Sequence, residues 1–310
     1  MSRSSSSELS GLADLHRHLD GSLRLETLYE LAREAGAELP ADASEIRFFA
    51  GMGLAQALQR FAWTLSTLQS ADAVKRVAGE ICEDAVAEGV TTLEIRFAPQ
   101  LHLDAAMEAI VDAAIEGVDG RAGLILCGLY GEPPEVLDRL VEVARSRRAV
   151  VGIDLAGGPA PAHDFGMLDY APAFSRARDL NLGRTVHAGE GRPPAEIAAA
   201  IRELHAQRIG HGTTLLEDQA VLDLVLERGV VIEACPTSNV HTGVISAVSE
   251  HPIVRWLKRG VSVCVNSDNT LLSDTDASAE HHLVADIPGM TGALLERVVT
   301  CGHQGAFQRT

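Results

Sequence analysis

The chain has 310 residues, 46% of them hydrophobic, which suffices for one large core or two domains of ordinary size. Its formal net charge of −17 is spread along the sequence, which argues against nucleic acid or an anionic membrane surface as partner and reads as solubility. There is no run of about 18 apolar residues, so no membrane span is expected.

In chain order, the serine-rich residues 1–10 have no apolar h-region and read as a disordered N-terminus, not a signal peptide. Leu12-Ala13-Asp14-Leu15 leads as a strand into His16-Arg17-His18-Leu19-Asp20-Gly21; a strand alternates its faces, so His16 and His18 point the same way. Residues 25–88 read as helical: 26–35, 54–68 with Leu58, Phe61, Leu65 and Leu68 on one face, and a third helix from the Ser70-Ala71-Asp72 cap to Gly89. That is more helix than a plain crossover needs, and an insertion of this kind would cover one end of the sheet, with Phe61, Trp63 and Leu65 placed either to wall a pocket or, as is commoner for an apolar helix face, to pack as core.

After Gly89 strands and helices alternate. Strands are expected at 91–97, 124–129, 150–155, 184–187, 208–210, 230–234 and 261–265. Helices are expected at 105–116, 134–146, 170–180, 195–206, 217–227 and 252–258, then at 279–285 and 292–300. Eight strands separated by helices argue a parallel sheet, and eight units in this length favour an α/β fold of the (β/α)8 TIM-barrel type with a helical insertion after the first strand. No linker appears, so residues 1–310 are expected to form a single domain. Cys82, Cys127, Cys235, Cys264 and Cys301 are odd in number and lack a C-x-x-C pair, which reads as reduced thiols in a cytoplasmic protein.

The polar residues fall at strand ends: His16 and His18 at the first, Asp154 and Gly157 at the fourth, His187 and Glu190 at the fifth, His211 at the sixth, Asp268 and Asn269 at the eighth. In a parallel barrel these ends share the face where active sites form. Imidazoles plus a carboxylate suit Zn²⁺. Glu190 is then placed to handle a proton, and His211, a fourth histidine, to orient the attacking hydroxide. Glu94 and Arg96 read as a buried structural pair or as support near the metal. His102, His163, His205, His241, His251, His281, His282 and His303 read as surface residues.

His16-Arg17-His18-Leu19-Asp20-Gly21, His187-Ala188-Gly189-Glu190, Arg208-Ile209-Gly210-His211-Gly212-Thr213 and Asn266-Ser267-Asp268 together resemble the motif set of the adenosine deaminases. Leu93-Glu94-Ile95-Arg96-Phe97-Ala98-Pro99, Asp154-Leu155-Ala156-Gly157 and Glu233-Ala234-Cys235-Pro236-Thr237-Ser238-Asn239 match as well, in the family's order. The resemblance implies a metal-dependent barrel of the amidohydrolase superfamily with one Zn²⁺ held by His16, His18, His187 and Asp268. It implies Glu190 as proton donor to purine N1 and His211 as the residue that positions the hydroxide. It places the Gly157 N–H at purine N3, Asp20 at the ribose hydroxyl, and His18 beside the substrate. The reaction implied is hydrolytic deamination at C6 of adenosine or 2′-deoxyadenosine, with a small purine nucleoside or base as the only partner.

One position departs from the family pattern: Asn269 stands where a second aspartate is usual. Its amide NH₂ can still donate to purine N7, although it cannot trade protons. Little follows Thr300, where relatives carry more helix. Alternative readings are the same reaction on adenine or on a 5′-modified adenosine such as aminodeoxyfutalosine, a metal-dependent amide or ester hydrolase, and a catalytically impaired nucleoside-binding relative. Oligomeric state has no sequence signature.

Overall fold

The computed structural model of the chain describes residues 11–160 and 162–308; residues 1–10, expected to be disordered, lie outside them. Among the described residues the strands are β1 (Leu12–His18), β2 (Val90–Phe97), β3 (Gly123–Leu129), β4 (Val150–Ala156), β5 (Gly183–Ala188), β6 (Arg208–His211), β7 (Val231–Ala234) and β8 (Ser262–Val265). They pair in parallel in the order β1 through β8. Arg17 bridges Asp268 and joins the two ends of the sheet. Asp268 N donates to His16 O at 2.8 Å, and His18 N to Asp268 O at 2.7 Å. The expected (β/α)8 barrel is therefore the observed architecture, and its seam is sewn by residues expected to bind the metal.

The period of two explains the layers. Along β2, Leu93, Ile95 and Phe97 are buried among the surrounding helices, whereas Glu94 and Arg96 are buried on the opposite face, inside the barrel. At the far end of the barrel Phe307 fills the floor. The Arg208 guanidinium lies 3.6 Å from its ring centroid, and a Cβ on Gly183 would come within 2.1 Å of the ring, so only glycine fits there.

The helices are α1 (Leu25–Ala35), α2 (Leu54–Leu65), α3 (Ala71–Ala87), α4 (Met107–Val118), α5 (Pro134–Arg145), α6 (Ala171–Asp179), α7 (Ala195–Arg202), α8 (Gln219–Arg228), α9 (Pro236–His241), α10 (Ile253–Lys258), α11 (Ala277–Ala285) and α12 (Gly292–Gly305). The local signals acted as expected. Ser70 Oγ accepts from Ala73 N at 3.2 Å to start α3, and Gly229 at φ 62° ends α8 in the left-handed conformation. No described helix is long and apolar enough to cross a membrane.

Three expectations need correction. Residues 36–53 form a loop with one 3-10 turn and not continuous helix, because Gly36, Pro40, Gly51 and Gly53 interrupt it. Helix α9 was not expected, since Thr237, Ser238 and Asn239 are poor helix formers; Pro236 at its first position sets the helical φ. Trp63 does not wall the site. It sits on the other face of α2 beside Ala37, Glu38 and Pro40, while Leu58 and Phe61 face the barrel mouth.

Helix α11 buries Glu280 completely, where its carboxylate accepts from Thr237 N at 3.2 Å and Thr275 Oγ1 at 2.9 Å. Burial pushes its pKa from 4.5 up to about 7. The folded state then holds a proton that the unfolded chain releases, so stability falls as pH rises from 4.5 to about 7. At about 1.4 kcal/mol per pH unit, roughly 3 kcal/mol is at stake. Glu280→Gln is expected to remove that slope in denaturant unfolding measured at pH 5 and pH 8. An unchanged slope would show that Glu280 is ionised in the fold throughout.

Candidate active site

The barrel mouth gathers His16 and His18 from the end of β1, His187 from β5, His211 from β6 and Asp268 from just beyond β8. His16 Nε2 lies 3.6 Å from Asp268 Oδ1, and His18 Nε2 lies 3.4 Å from the same oxygen. The His16 and His187 rings are 4.6 Å apart. The candidate ligand atoms of His16, His18 and Asp268 lie within 4.8 Å of one another, as do those of His16, His187 and His211. Asp268 and His211 both hold left-handed backbone, φ 62° and 68°, a conformation kept in place only where the surroundings enforce it. The two hydrogen bonds across the barrel seam supply that enforcement at Asp268.

Below this cluster lies a layer of buried charge. Glu233 Oε2 is 2.7 Å from His16 Nδ1, and Asp154 Oδ2 is 3.0 Å from His187 Nδ1. Each carboxylate accepts a hydrogen bond from the Nδ1–H of its histidine and leaves Nε2 as a lone-pair donor aimed at the cluster, the arrangement that orients metal-binding imidazoles. Arg96 ties the two together, donating to Asp154 at 2.8 Å and to Glu233 at 2.9 Å. Of the two expected roles, Arg96 takes that of support near the metal site, and Glu94 does not pair with it. The two lie on one face of β2, side by side, and Glu94 reaches across the barrel to Arg208 at 2.5 Å.

This donor set fits a divalent cation. His16 Nε2 is wholly buried without a hydrogen-bond partner, a costly state that a cation relieves. Burial holds His16 and His18 well below the ordinary histidine pKa, so both are neutral and ready to coordinate. His187 differs: burial pulls it down, but Asp154 outweighs that and lifts it above the ordinary value. Cys235 also approaches His211 and Asp268, but burial raises its thiol pKa well above the usual range, so it stays a thiol and a weak ligand.

Glu190 follows β5, with Gly189 and Gly191 on either side at φ 67° and 64° turning the chain back over the mouth. Thr242 Oγ1 donates to Glu190 Oε1 at 2.9 Å, and Asn239 Nδ2 donates to the same oxygen at 3.3 Å. Both bonds end on Oε1, leaving Oε2 to meet a substrate. Burial would raise the Glu190 pKa, but His211 and the Thr242 hydroxyl outweigh it, so the carboxylate is ionised and able to accept a proton. Asn239, Thr242, Glu233 and Asp154 carry no role readable from the sequence. A charged residue inside a four-residue apolar strand such as β7 was the one available signal.

The lining of the mouth includes Leu58, Phe61, Gly157, Glu190, Asp268 and Asn269. It runs past His18 and Gly157 into a cavity of about 330 Å³ that reaches Asp20, Tyr130 and His163, within the usual range for a small-molecule site. Two polar atoms here are buried without partners, Asp20 Oδ1 and Asn269 Oδ1. Burial pushes Asp20 up to about 7, so near neutrality it can both donate and accept. Gly21 makes room for Asn269: a Cβ there would fall 1.9 Å from Asn269 Oδ1. Gly157, at φ 76°, has open space beside its Cα, so a ligand can approach its backbone closely.

Three histidines expected at the surface are buried: His102, His251 and His281. Each holds a hydrogen bond inside, His102 Nδ1 to Leu68 O, His281 to Ala277 O at 2.8 Å and His251 to Asn239 Oδ1 at 3.3 Å, while His102 Nε2 is left without a partner. Hydrogen-bonded imidazole is tolerated in a core, and no sequence pattern marks it.

The adenosine deaminase family model matches residues 11–310. The "Probable adenosine deaminase" of Dictyostelium discoideum is 38% identical over 291 residues, 88% of this chain; the chain spans 37% of that longer protein. The adenosine deaminase of Serratia proteamaculans (strain 568) is 34% identical over 314 residues, covering 96% of this chain and 93% of its own length. Among solved structures, Arabidopsis ADAL complexed with GMP superposes with a TM-score of 0.86 at 25% identity, over 97% of this chain and 94% of that one. On its fold, its whole-length family match and these relatives, the chain belongs to the adenosine deaminase family, metal-dependent hydrolases acting on C–N bonds.

Proposed function

We propose that the chain removes the exocyclic amine from C6 of an adenine nucleoside, adenosine or 2′-deoxyadenosine, and releases ammonia. The observation that carries this reading is the set of imidazole nitrogens and one carboxylate converging beside a protein-held Glu190 under an apolar rim. His16, His18, His187 and Asp268 would hold one Zn²⁺. When bound, the cation supplies a Lewis acid that makes hydroxide available near neutral pH.

The chain's own residues do the rest. Phe61 and Leu58 cover the purine and exclude bulk water. The Gly157 N–H meets N3, the Asn269 amide donates to N7, and Asp20 faces the ribose hydroxyl. Glu190 Oε2 delivers a proton to N1 as oxygen bonds to C6. The C6–N bond then breaks, the departing amine takes the proton of the new C6 hydroxyl to leave as ammonia, and a carbonyl remains at C6. His211 holds the attacking oxygen against the ring. The five unpaired cysteines support a reducing compartment, and we place the protein in the cytoplasm. We take the chain as a single catalytic domain.

The test is ultraviolet detection of deamination with adenosine, 2′-deoxyadenosine, adenine, adenosine 5′-monophosphate and 5′-modified adenosines, with zinc measured in the same sample. Turnover of the nucleosides with about one zinc per chain is expected. Turnover of only the base or the monophosphate would overturn the substrate assignment. Asp268→Ala is expected to purify with little zinc and to lose activity together with metal; full zinc occupancy would remove Asp268 from the ligand set.

A further inference from the structure

His211 is buried beside His16, His187 and Asp268, yet a neutral imidazole can do two opposite things there. Protonated on Nε2 it donates to the attacking oxygen; protonated on Nδ1 it presents a lone pair and removes a proton from water. A chain of hydrogen bonds that starts some forty residues away decides between them. Ile253 N–H is the first amide of α10 and has no carbonyl partner within the helix. It donates to His251 Nδ1 at 3.2 Å.

A backbone amide can only donate, so His251 Nδ1 carries a lone pair. The ring is 3% exposed and stands edge-on to Trp256, with centroids 5.2 Å apart; burial drives its pKa down to about 3, so it is neutral and its proton sits on Nε2. That N–H faces Asn239 Oδ1 at 3.3 Å. With Oδ1 engaged, Asn239 Nδ2 directs its hydrogens to His211 Nδ1 at 3.1 Å and Glu190 Oε1 at 3.3 Å. The reversed amide would set NH₂ against the His251 N–H and oxygen against the Glu190 carboxylate. Two attractions would become repulsions, so one orientation survives.

We propose that His251, acting through Asn239, is a positioning residue that locks His211 in the tautomer protonated at Nε2, making it a hydrogen-bond donor to the attacking oxygen and barring it from serving as the base. This rests on the role given to His211 above. The proton balance follows: water loses its proton to Glu190 Oε2, Glu190 passes that proton to N1, and His211 keeps its own throughout. One carboxylate is therefore both acceptor and donor. Asn239 touches the only two side chains that act on protons in this scheme, and His251 fixes which way Asn239 faces.

The experiment is two-bond ¹H–¹⁵N correlation spectroscopy of the full-length chain labelled with ¹⁵N-histidine at neutral pH. The His211 signals are assigned by their loss in His211→Gln. The wild type is expected to show His211 protonated on Nε2 and bare on Nδ1. His251→Leu, which removes the donor to Asn239, is expected to show both tautomers and a roughly 10- to 100-fold lower kcat with KM unchanged. His251→Gln keeps an N–H at the Nε2 position and is expected to restore both tautomer and rate. A wild-type His211 carrying its proton on Nδ1 overturns the proposal, and so does a single unchanged tautomer in His251→Leu. If His251→Leu does not fold, the wild-type spectrum still decides. A protein with the Nε2 tautomer that deaminates no adenine compound would support the relay and defeat the functional reading instead.

Discussion

Glu190→Gln is expected to lower kcat by roughly 10²- to 10⁴-fold, the usual contribution of a positioned acid–base group. The amide is nearly isosteric with the carboxylate. Its oxygen can still accept from Thr242 Oγ1 and Asn239 Nδ2, which hold the native Oε1 at 2.9 and 3.3 Å. What it cannot do is take up a proton and give it to N1. The loss should therefore fall on kcat, with zinc content and thermal midpoint close to wild type. Steady-state kinetics beside elemental analysis and calorimetry separate these quantities. Activity near wild type would mean that N1 is protonated from elsewhere.

The second large effect is on stability and metal retention together. Arg96 is wholly buried and is the cation shared by Asp154 and Glu233; it also donates to Leu15 O at 2.7 Å. Arg96→Met fills similar space but removes that charge. Breaking one partner of a buried ionic network typically costs about 3–5 kcal/mol, because the remaining charges are left uncompensated. Here Glu233 retains Arg208 at 2.6 Å, but Asp154 keeps no arginine partner among the described residues and is left with the His187 N–H. Asp154, which burial would raise and His187 with Arg96 hold far below its ordinary value, should then rise and loosen its grip on His187. A midpoint lowered by roughly 10 °C is expected, with zinc affinity weakened roughly 10- to 100-fold. Zinc retained with full affinity would show that Arg96 stabilises the barrel without orienting the ligands.

The floor of the barrel extends the same theme. Interior positions of β2, β6 and β7 hold Glu94, Arg96, Arg208 and Glu233 where Val, Ile and Leu usually pack in such barrels. Every one of these charges meets an opposite one inside, so the metal site rests on a preorganised ionic platform and not on an oily plug. Such a platform holds His16 and His187 to a fixed tautomer and angle, at the expense of sensitivity to any single deletion.

Much of this was legible before any coordinates. Alternating short apolar runs and amphipathic helices carry the barrel, because a period of two and a period of 3.6 are local properties of the chain. His16, His18, His187, Glu190, His211, Asp268 and Asn269 are visible because each follows directly on a predicted strand, and in a parallel barrel all strand ends share one face. Helix boundaries at Ser70 and Gly229 were readable from capping chemistry.

What the sequence could not yield is anything decided across the barrel. Glu94 and Arg96 are two residues apart and invite pairing, yet a strand sets them side by side, and their partners come from strands more than fifty residues away in the chain. Trp63 and Phe61 share α2, but only the docking of that helix turns one towards the mouth and the other away. His251 is a lone histidine before a proline; nothing local says that its proton faces Asn239. The sequence by itself determined the architecture and the roster of reactive side chains, since both follow from short-range periodicity and residue chemistry. Only the tertiary structure decided which nitrogen of each histidine is free and which carboxylate holds it, because those are contacts between segments that no local pattern encodes.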